Sequence, residues 1–298
     1  MGVADPDAER ARRAAEEFGC EAFTSWEELP GRVDAAVVAA PTSAHVAVGC
    51  GLLEAGIDVL VEKPIAASLT GAQRLVDSAR SAGRVLQVGH LESFNPVVEA
   101  VRKLKTLPLF FEVHRLSVFT PRSLDIDVVL DLMIHDLDIV LCLTGLKPSE
   151  VRAAGISVLS GKVDIANVRL AFPTGCIANL TASRVSTERV RKLRLFQPGQ
   201  YISVDYQRQD GVVVEVGPDG RFGFRALGVE KEEPLKRELE SFLECVRTRG
   251  RPQVGGTEAL RALEVAVEIL GKIEEHGKIV AQSLSAHAPP GASRGGPG

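Results

Sequence analysis

In the first third of the chain, short apolar runs alternate with segments whose apolar positions recur at helical spacing. Residues 34–40 (DAAVVAA) form a continuous apolar run, which is typical of a parallel strand covered on both faces. The alternation of strand and helix predicts a parallel α/β sheet. The predicted strands are 2–5, 34–40, 58–62 and 85–89, and the predicted helices are 6–18, 45–55 and 69–82.

Beyond Gly89 the pattern changes, because the predicted strands gather in one block. Residues 151–216 are mostly strand, and 163–172 with 175–183 are expected to form a hairpin around a Pro-Thr-Gly turn. Such a block predicts a largely antiparallel sheet in an α+β domain. The other elements predicted in this part are a strand at 109–116 and helices at 96–105, 128–143, 234–247 and 257–276.

Composition narrows the class of function. The formal charge of -4 gives no basic field for nucleic acid or an anionic membrane. No apolar run approaches the ~18 residues of a membrane span, and the amino end has no signal-peptide pattern. The five cysteines are scattered without a C-x-x-C pair, so we expect free thiols in the cytoplasm rather than disulfides or a zinc site.

Asp5 closes the first apolar segment, Gly2-Val3-Ala4. An acid at the end of the second strand of a dinucleotide-binding fold can accept hydrogen bonds from the adenine-side ribose, which favours NAD over NADP. The alternative is a helix N-cap, because Asp followed by Pro is a good cap signal. The sequence leaves both interpretations open.

The glycine turn that cradles a dinucleotide's pyrophosphate comes before such an acid, in a unit of ~30 residues. Only four residues precede Asp5. Gly49-Cys50-Gly51 has the wrong spacing and lies in or just after a predicted helix, so we expect it to serve helix packing. We therefore expect a chain that begins at an internal methionine, with roughly 30 residues missing.

These patterns together predict an α/β fold of two domains. Residues 1–92 are expected to form an incomplete, doubly wound Rossmann sheet, a dinucleotide-binding domain without its first strand, glycine loop and first helix. Residues 93–282 are expected to form an α+β domain with an open, largely antiparallel sheet for substrate binding and oligomerisation. Residues 283–298, rich in Gly, Pro, Ala and Ser, are predicted to be disordered.

Lys63 follows a predicted strand directly, in Val61-Glu62-Lys63-Pro64. Ligands of open α/β sheets bind at the carboxyl ends of the strands, and an ammonium there can donate to a reacting oxygen. The alternative is a surface salt bridge with Glu62.

Asp131 and His135 lie four residues apart in an otherwise apolar segment, so on a helix they share one face. Histidine is the usual proton acceptor near neutral pH. The charges of Asp131, His135, Asp136 and Asp138 argue against plain core, because buried charge is costly unless it is paired. A metal site is the alternative, but no third ligand stands at a familiar spacing, so we expect no metal.

Four segments together resemble one family: Ala-Ala-Pro-Thr-Ser-Ala-His at 39–45, Glu-Lys-Pro at 62–64, Gln-Val-Gly-His at 87–90 with Phe-Asn-Pro at 94–96, and Asp-x-x-x-His at 131–135. They resemble the glucose–fructose oxidoreductase / inositol dehydrogenase / MocA (Gfo/Idh/MocA) family, and most of all its sugar-nucleotide dehydrogenases. The resemblance runs from about Met1 to Leu284. Ser93 stands where relatives often carry arginine, and Met133 where many have glycine.

The resemblance implies an NAD(P)-dependent oxidoreductase that transfers a hydride between a sugar hydroxyl, in a free or nucleotide-linked sugar, and nicotinamide. Lys63 would be the catalytic lysine, His135 the acid/base and Asp131 its support. The residues implied to bind the cofactor are Asp5, Ala40, Pro41, Thr42, His45, Glu62 and Lys63, and those expected to bind substrate are His90, Glu92, Asn95, Arg122 and Arg184.

The resemblance also implies a homodimer or homotetramer that pairs through the carboxyl-terminal sheet. NAD is the expected cofactor, with NADP the less favoured choice. Because the glycine turn is missing, one alternative is a non-catalytic sugar-nucleotide-binding or assembly subunit that has lost its cofactor site. Another is a relative that opens glycosidic bonds by transient oxidation.

Overall fold

The computed structural model describes residues 1–104, 106–120, 126–217 and 219–287. Its first part consists of parallel strands and helices in alternation, as the apolar pattern predicts. The elements are β1 (Gly2–Ala4), α1 (Ala8–Phe18), β2 (Glu21–Phe23), β3 (Ala35–Val38), α2 (His45–Glu54), β4 (Asp58–Glu62), α3 (Leu69–Ala82) and β5 (Leu86–Gly89).

These strands form two parallel sheets. β1 pairs with β2, and β4 lies between β3 and β5. Within the described residues β1 and β3 do not pair, and Val37 on β3 is 49% exposed. The interior of the larger sheet is tightly covered, since Val59, Leu60 and Val61 of β4 are almost fully buried.

Caps set the ends of the helices. Asp7, not Asp5, is the N-cap of α1, where its carboxylate accepts from the backbone N–H groups of Glu9 and Arg10. The cap interpretation of Asp5 is therefore wrong, and α1 begins two residues later than the sequence suggests. Gly49 lies inside α2 as expected, because a Cβ there would lie 2.6 Å from Leu75 Cδ2 on α3.

The second part contains an eight-stranded sheet with helices on one face. Its strand order is β13-β12-β11-β10-β6-β9-β8-β7, and every neighbouring pair is antiparallel except β6 with β9. The strands are β6 (Phe110–Val118), β7 (Glu150–Ile156), β8 (Ile165–Ala171), β9 (Ile177–Ser186), β10 (Val190–Gln197), β11 (Gln200–Asp205), β12 (Asp210–Val216) and β13 (Phe222–Ala226).

The predicted α/β class, the hairpin β8–β9 and the largely antiparallel sheet are confirmed. The helices of this part are α4 (Pro96–Lys103), α5 (Ile134–Thr144), α6 (Pro234–Thr248) and α7 (Gly256–His287). The prediction of one α-helix over 128–143 is wrong at its start, because Val129–Met133 form a π-helical turn before α5. The predicted disordered tail begins too early, since α7 continues past Ser283 to His287.

One face of the large sheet forms the main core. Alternate residues of its strands, among them Phe111, Leu180 and Leu195, are fully buried together with Leu137 of α5 and Ile269 of α7. The residues between them in sequence point to the other face and keep partial exposure. The sheet therefore has one covered face and one open face, which is the usual arrangement of an antiparallel layer.

The last two helices return to the first part of the chain. The start of α7 contributes Ala259 and Leu263 to the core of the β3–β4–β5 sheet, and Phe242 of α6 packs with Leu60 and Val85. Between these helices, Val88 N donates to Val254 O at 2.9 Å. Residues that the sequence assigns to the second domain thus complete the first. Among the helices described, none combines the length and hydrophobicity that a bilayer-spanning segment requires.

Candidate active site

Lys63 emerges at the carboxyl end of the buried strand β4 and reaches across to the π-helical turn. Its Nζ donates to Asp131 O at 2.8 Å and to Asp131 Oδ1 at 3.1 Å. Glu62 contacts Lys63 through the backbone instead, where Oε2 accepts from Lys63 N at 3.3 Å. The ammonium is therefore paired with Asp131 between the end of β4 and the π-helical turn, and the alternative of a surface salt bridge with Glu62 is wrong.

The π-helical turn explains how Asp131 meets this lysine. A π turn widens the helix and occurs mostly as a single turn, frequently at functional sites. Here it places both the carbonyl and the carboxylate of Asp131 on the lysine side of the helix, each side chain being about a quarter exposed (22% for Lys63, 25% for Asp131). Asp131 thus supports Lys63, whereas the sequence suggested that it supports His135.

His135 is the second residue of the regular helix α5, near Lys63. Its ring lies edge-on to the ring of His90, with centroids 5.9 Å apart. Burial lowers the pKa of His135 well below its ordinary value, and the positive charges of Arg115 and Lys63 lower it further. The imidazole is therefore neutral at neutral pH and able to accept a proton. Its buried Nδ1 has no hydrogen-bond partner among the described residues.

His90 stands at the end of β5, which brings it beside β4 and Lys63. It is 1% exposed, and neither ring nitrogen finds a partner within the described part of the chain. Burial lowers its pKa, although the carboxylate of Asp138 acts in the opposite direction. Two neutral imidazoles thus face each other at the junction of the two parts of the chain.

A network of buried ion pairs lies next to these side chains. Arg115 on β6 is 2% exposed and donates to Asp136 twice, from Nε at 2.7 Å and from Nη2 at 2.8 Å. Its third contact, from Nη1, is to Glu92 Oε1 at 2.9 Å. Glu92 also accepts from Arg191 Nη1 at 3.1 Å, so one carboxylate joins two arginines.

This network fixes helix α5, the turn after β5 and the large sheet relative to one another. Asn95 adds to it by donating to Glu92 Oε2 at 3.2 Å and to Tyr206 O at 3.0 Å. A bidentate arginine–carboxylate pair is both strong and directional. Breaking a buried pair leaves an uncompensated charge, which costs about 3 to 5 kcal/mol. The residue that precedes Asp136 is His135, so the network also determines where that imidazole lies.

The predicted cofactor residues gather at the carboxyl ends of the parallel strands. Ala40 to Thr42 follow β3, Glu62 ends β4, and Asp5 follows β1. The Asp5 side chain is 22% exposed and is paired with Arg10 Nη1 at 3.1 Å. His45 is 1% exposed, and both of its ring nitrogens contact backbone carbonyl groups of the protein. The ring therefore lies between the turns that follow β3 and β4, and neither of its nitrogens is available to a ligand.

The described structure does not place two of the predicted substrate residues beside Lys63 and His135. Arg184 is buried, lies 3.8 Å from Asp164 through Nε, and donates from Nη2 to Ile126 O. These contacts give it a structural role, so we do not retain it as a phosphate ligand. Arg122 lies outside the described residues. Ser93 donates from Oγ to Asp138 Oδ2.

Sequence reasoning missed Arg191 and Tyr206, and it named Asp136 only as one of several charges in an apolar helix. That observation was the useful signal, because a buried acid demands a partner. The partner, Arg115, lies on a strand that precedes it by 21 positions, and spacing alone does not reveal the pair. Across the described ranges, no three metal-ligating side chains come together.

Comparison with known proteins gives a consistent result. Residues 1–90 match the profile described as the oxidoreductase family with an NAD-binding Rossmann fold (GFO_IDH_MocA), and residues 112–197 match the GFO/IDH/MocA C-terminal domain. The chain is 37% identical over 279 residues to the UDP-N-acetylglucosamine 3-dehydrogenase of Acidithiobacillus ferrooxidans, covering 92% of this chain and 89% of that protein. It is 26% identical to the scyllo-inositol 2-dehydrogenase (NAD(+)) of Bacillus subtilis, covering 89% and 83% of the two chains.

Solved structures agree in fold. The crystal structure of the Acidithiobacillus ferrooxidans enzyme superposes with a TM-score of 0.88 at 36% identity, over 92% of this chain and 90% of that one. A levoglucosan dehydrogenase in complex with NADH and levoglucosan reaches a TM-score of 0.82 at 17% identity, over 93% and 88% of the two chains. At that identity the second likeness bears on the fold alone.

Proposed function

The chain belongs to the GFO/IDH/MocA family of NAD-binding oxidoreductases, and from that premise we propose that it oxidises a hydroxyl group of a nucleotide sugar. One observation carries the proposal. Lys63, directly after the end of β4, pairs with Asp131 and lies near enough to His135 for its charge to lower the pKa of that imidazole. This juxtaposition supports a site in which a hydrogen-bond donor and a neutral proton acceptor act on one hydroxyl group.

The two side chains divide the proton chemistry between them. Lys63, held by Asp131, donates to the hydroxyl oxygen and stabilises the negative charge that develops there. His135 is unprotonated at neutral pH because burial and nearby cations lower its pKa, so it is available to take the hydroxyl proton. A low pKa also makes it a weak base, and the ammonium of Lys63 compensates by making the hydroxyl more acidic.

A bound nicotinamide cofactor would supply the hydride acceptor for the oxidation of the sugar carbon. The residues of this chain fit the two ends of such a cofactor. Asp5 is a partly exposed carboxylate beyond β1, at the place where ribose hydroxyls are bound in this fold. The ends of β3, β4 and β5 lie side by side and lead to Lys63. We propose NAD because the acid of Asp5 accepts from a ribose hydroxyl and repels a phosphate.

The hydrogen-bonding groups near His135 favour a sugar as the class of substrate. The atoms buried there without a partner in the described structure are hydrogen-bonding groups of both kinds: the ring nitrogens of His90, Nδ1 of His135, Nε of Arg191 and the hydroxyl of Tyr206. Buried polar groups are nearly always satisfied in a working protein. A polyhydroxylated ligand supplies several donors and acceptors at once, and Arg191, whose side chain is 33% exposed, has charge to offer a diphosphate.

The test is a panel of UDP-sugars and inositols assayed with NAD by NADH absorbance. We expect turnover with at least one nucleotide sugar, and a loss of at least about 100-fold in kcat for Lys63→Met and for His135→Asn, with little change in NAD affinity by calorimetry. Lys147→Met, on an exposed lysine, is the control and keeps full activity. Near-normal turnover in both active-site variants refutes the roles of Lys63 and His135 in proton transfer.

Binding of a nucleotide sugar without NAD binding or turnover is the outcome that favours the alternative, a non-catalytic subunit. The two results are separable, since calorimetry with each ligand reports binding without any chemistry. Release of a sugar without net formation of NADH identifies the third candidate, a relative that opens glycosidic bonds.

We also propose that two copies pair through the open face of the large sheet. An apolar stripe crosses that face, with one residue from each of five adjacent strands. Successive members are in register, and the rings at its centre are in contact, Phe196 with Tyr201 at 4.9 Å and Phe196 with Phe110 at 5.9 Å between centroids. The members of this aromatic stripe are Phe110, Phe196, Tyr201, Val214 and Phe224. Four of its members are partly exposed and Phe224 is 74% exposed, and a contiguous apolar patch on a protein surface often marks an interface.

A further inference from the structure

His45 joins two turns that end neighbouring strands. Its Nε2 lies 2.9 Å from the carbonyl oxygen of Ala40, which follows β3, and its Nδ1 lies 3.0 Å from the carbonyl oxygen of Pro64, which follows β4 and Lys63. The ring is 1% exposed, so no bulk water competes for either nitrogen. Both distances are ordinary hydrogen-bond lengths for N–H donors.

The two contacts place a constraint on the protons of the ring. A carbonyl oxygen only accepts hydrogen bonds, so each contact needs an N–H on the histidine side. A neutral imidazole has one N–H and one lone pair. In either neutral tautomer, one nitrogen would turn its lone pair towards a carbonyl lone pair at about 3 Å, which is repulsive.

We infer that His45 carries a proton on both ring nitrogens and, as a buried cation, holds the turn after β3 and the Glu-Lys-Pro turn after β4 in fixed relation. A buried cation is costly when isolated. Here it makes two charge-assisted hydrogen bonds, which are roughly twice as strong as neutral ones. The effect of His45 on the rate of the reaction rests on the proposed function. The charge of the His45 ring does not depend on that function.

Few charges lie beside the ring along the local chain. The ammonium of Lys63 is directed to Asp131, and the carboxylate of Glu62 lies against Gly89 on β5, since a Cβ on that glycine would lie 2.9 Å from Glu62 Oε2. The first turn of α2, which His45 begins, contains no acidic residue, and the turn before it, Thr42–Ala44, is uncharged. The two carbonyl oxygens are therefore the groups that stabilise a charge on this ring.

The consequence is that His45 is a positioning residue. Pro64 follows Lys63 directly, so a bond that fixes the Pro64 carbonyl also fixes the backbone from which the Lys63 side chain extends. Ala40 begins the turn along which the cofactor is proposed to lie. The His45 ring therefore fixes the proposed cofactor-binding turn and the Lys63 side chain in position relative to each other. A displacement of about 1 Å at such a site costs up to about 100-fold in rate.

The charge is tested by NMR on the whole chain with ¹⁵N-labelled histidine and ¹³C-labelled carbonyl groups. We expect His45 to show two ring N–H protons that exchange slowly with solvent. Each should show a coupling across its hydrogen bond, one to the Ala40 carbonyl carbon and one to the Pro64 carbonyl carbon. A ring with a single N–H overturns the inference. This measurement needs no variant and no enzymatic activity.

The positioning role is tested with His45→Gln, a neutral side chain that cannot bridge the two carbonyls, and with His114→Gln on the open sheet face as control. We expect kcat to fall at least about tenfold, with the KM for the sugar nearly unchanged. Lys63 should also react faster with an amine-selective reagent, because its bond to Asp131 loosens. Unchanged labelling of Lys63 in a folded His45→Gln variant overturns the role, even if no dehydrogenase substrate is found.

Discussion

Glu238 on α6 is a buried carboxyl group whose ionisation opposes folding. It is 1% exposed, and its Oε1 has no hydrogen-bond partner in the described part of the chain. Burial raises its pKa to about 8, helped by the negative charge of Glu62. Its backbone carbonyl accepts from Gln87 Nε2 at 3.0 Å, so the carboxyl group lies against the β4–β5 side of the first sheet.

The sign of the effect follows from proton binding in the two states. An unfolded glutamate titrates near about 4.3, so between that pH and about 8 the folded chain binds more protons than the unfolded chain. The free energy of unfolding therefore falls as pH rises through this window. At about 1.4 kcal/mol per pKa unit, the loss that Glu238 causes between pH 5 and pH 7 is about 3 kcal/mol.

Replacing the carboxyl group by an amide removes this loss. We expect Glu238→Gln to become more stable than the parent as pH rises, with the difference growing by about 3 kcal/mol from pH 5 to pH 7 and levelling off above pH 8. Urea unfolding followed by circular dichroism at pH 5, 6, 7 and 8 measures it. Other titrating groups cancel, because only the difference between two proteins is used.

Glu240→Gln is the matched control, because Glu240 lies on the same helix with its side chain 59% exposed. Its difference from the parent should stay within about 0.5 kcal/mol at every pH. If the difference for Glu238→Gln is equally flat from pH 5 to pH 8, Glu238 is not protonated in the folded chain and the reasoning fails.

Three further outcomes are expected. Because the pKa of His135 is lowered, kcat should decline only at a pH below the one at which an ordinary histidine titrates, as protonation removes the acceptor; a decline centred at or above pH 6.5 contradicts this. Asp5→Ser should raise the ratio of NADP to NAD turnover at least about tenfold by removing a charge that repels phosphate, and an unchanged ratio argues against the ribose role. Phe224→Arg should shift the chain towards monomer in light scattering, whereas Phe18→Arg, at another exposed phenylalanine, should not.

Much of the fold was predictable because most of the strands have a recognisable local pattern of apolar residues. The runs that became β3, β4 and β5 are apolar on both faces, and the chemistry at their carboxyl ends follows from the rule for open sheets. Lys63 could be identified in this way. Asp131 could be predicted as a site residue, but its contact with Lys63 could not. The π turn at Asp131 interrupts the helical spacing on which the prediction relied.

The remaining features depend on partners that are distant in sequence. No local pattern in the sequence singles out Arg115, and only the fold shows that it pairs with Asp136 and Glu92. His45 was expected beside the cofactor, yet its contacts are with carbonyl groups 5 and 19 residues away. Spacing and composition cannot reveal the state of a buried ring, because that state is set by whatever the backbone presents to it.

The return of α6 and α7 to the first sheet has a consequence for how the molecule can be divided. A fragment that stops near residue 92 would lose Phe242, Val254 and Leu263, and so would leave Leu60 and Val85 facing water. Such a fragment should aggregate rather than report on nucleotide binding by itself. Helix α7 contacts both β7 of the large sheet and β5 of the first sheet, so it connects the two parts of the chain.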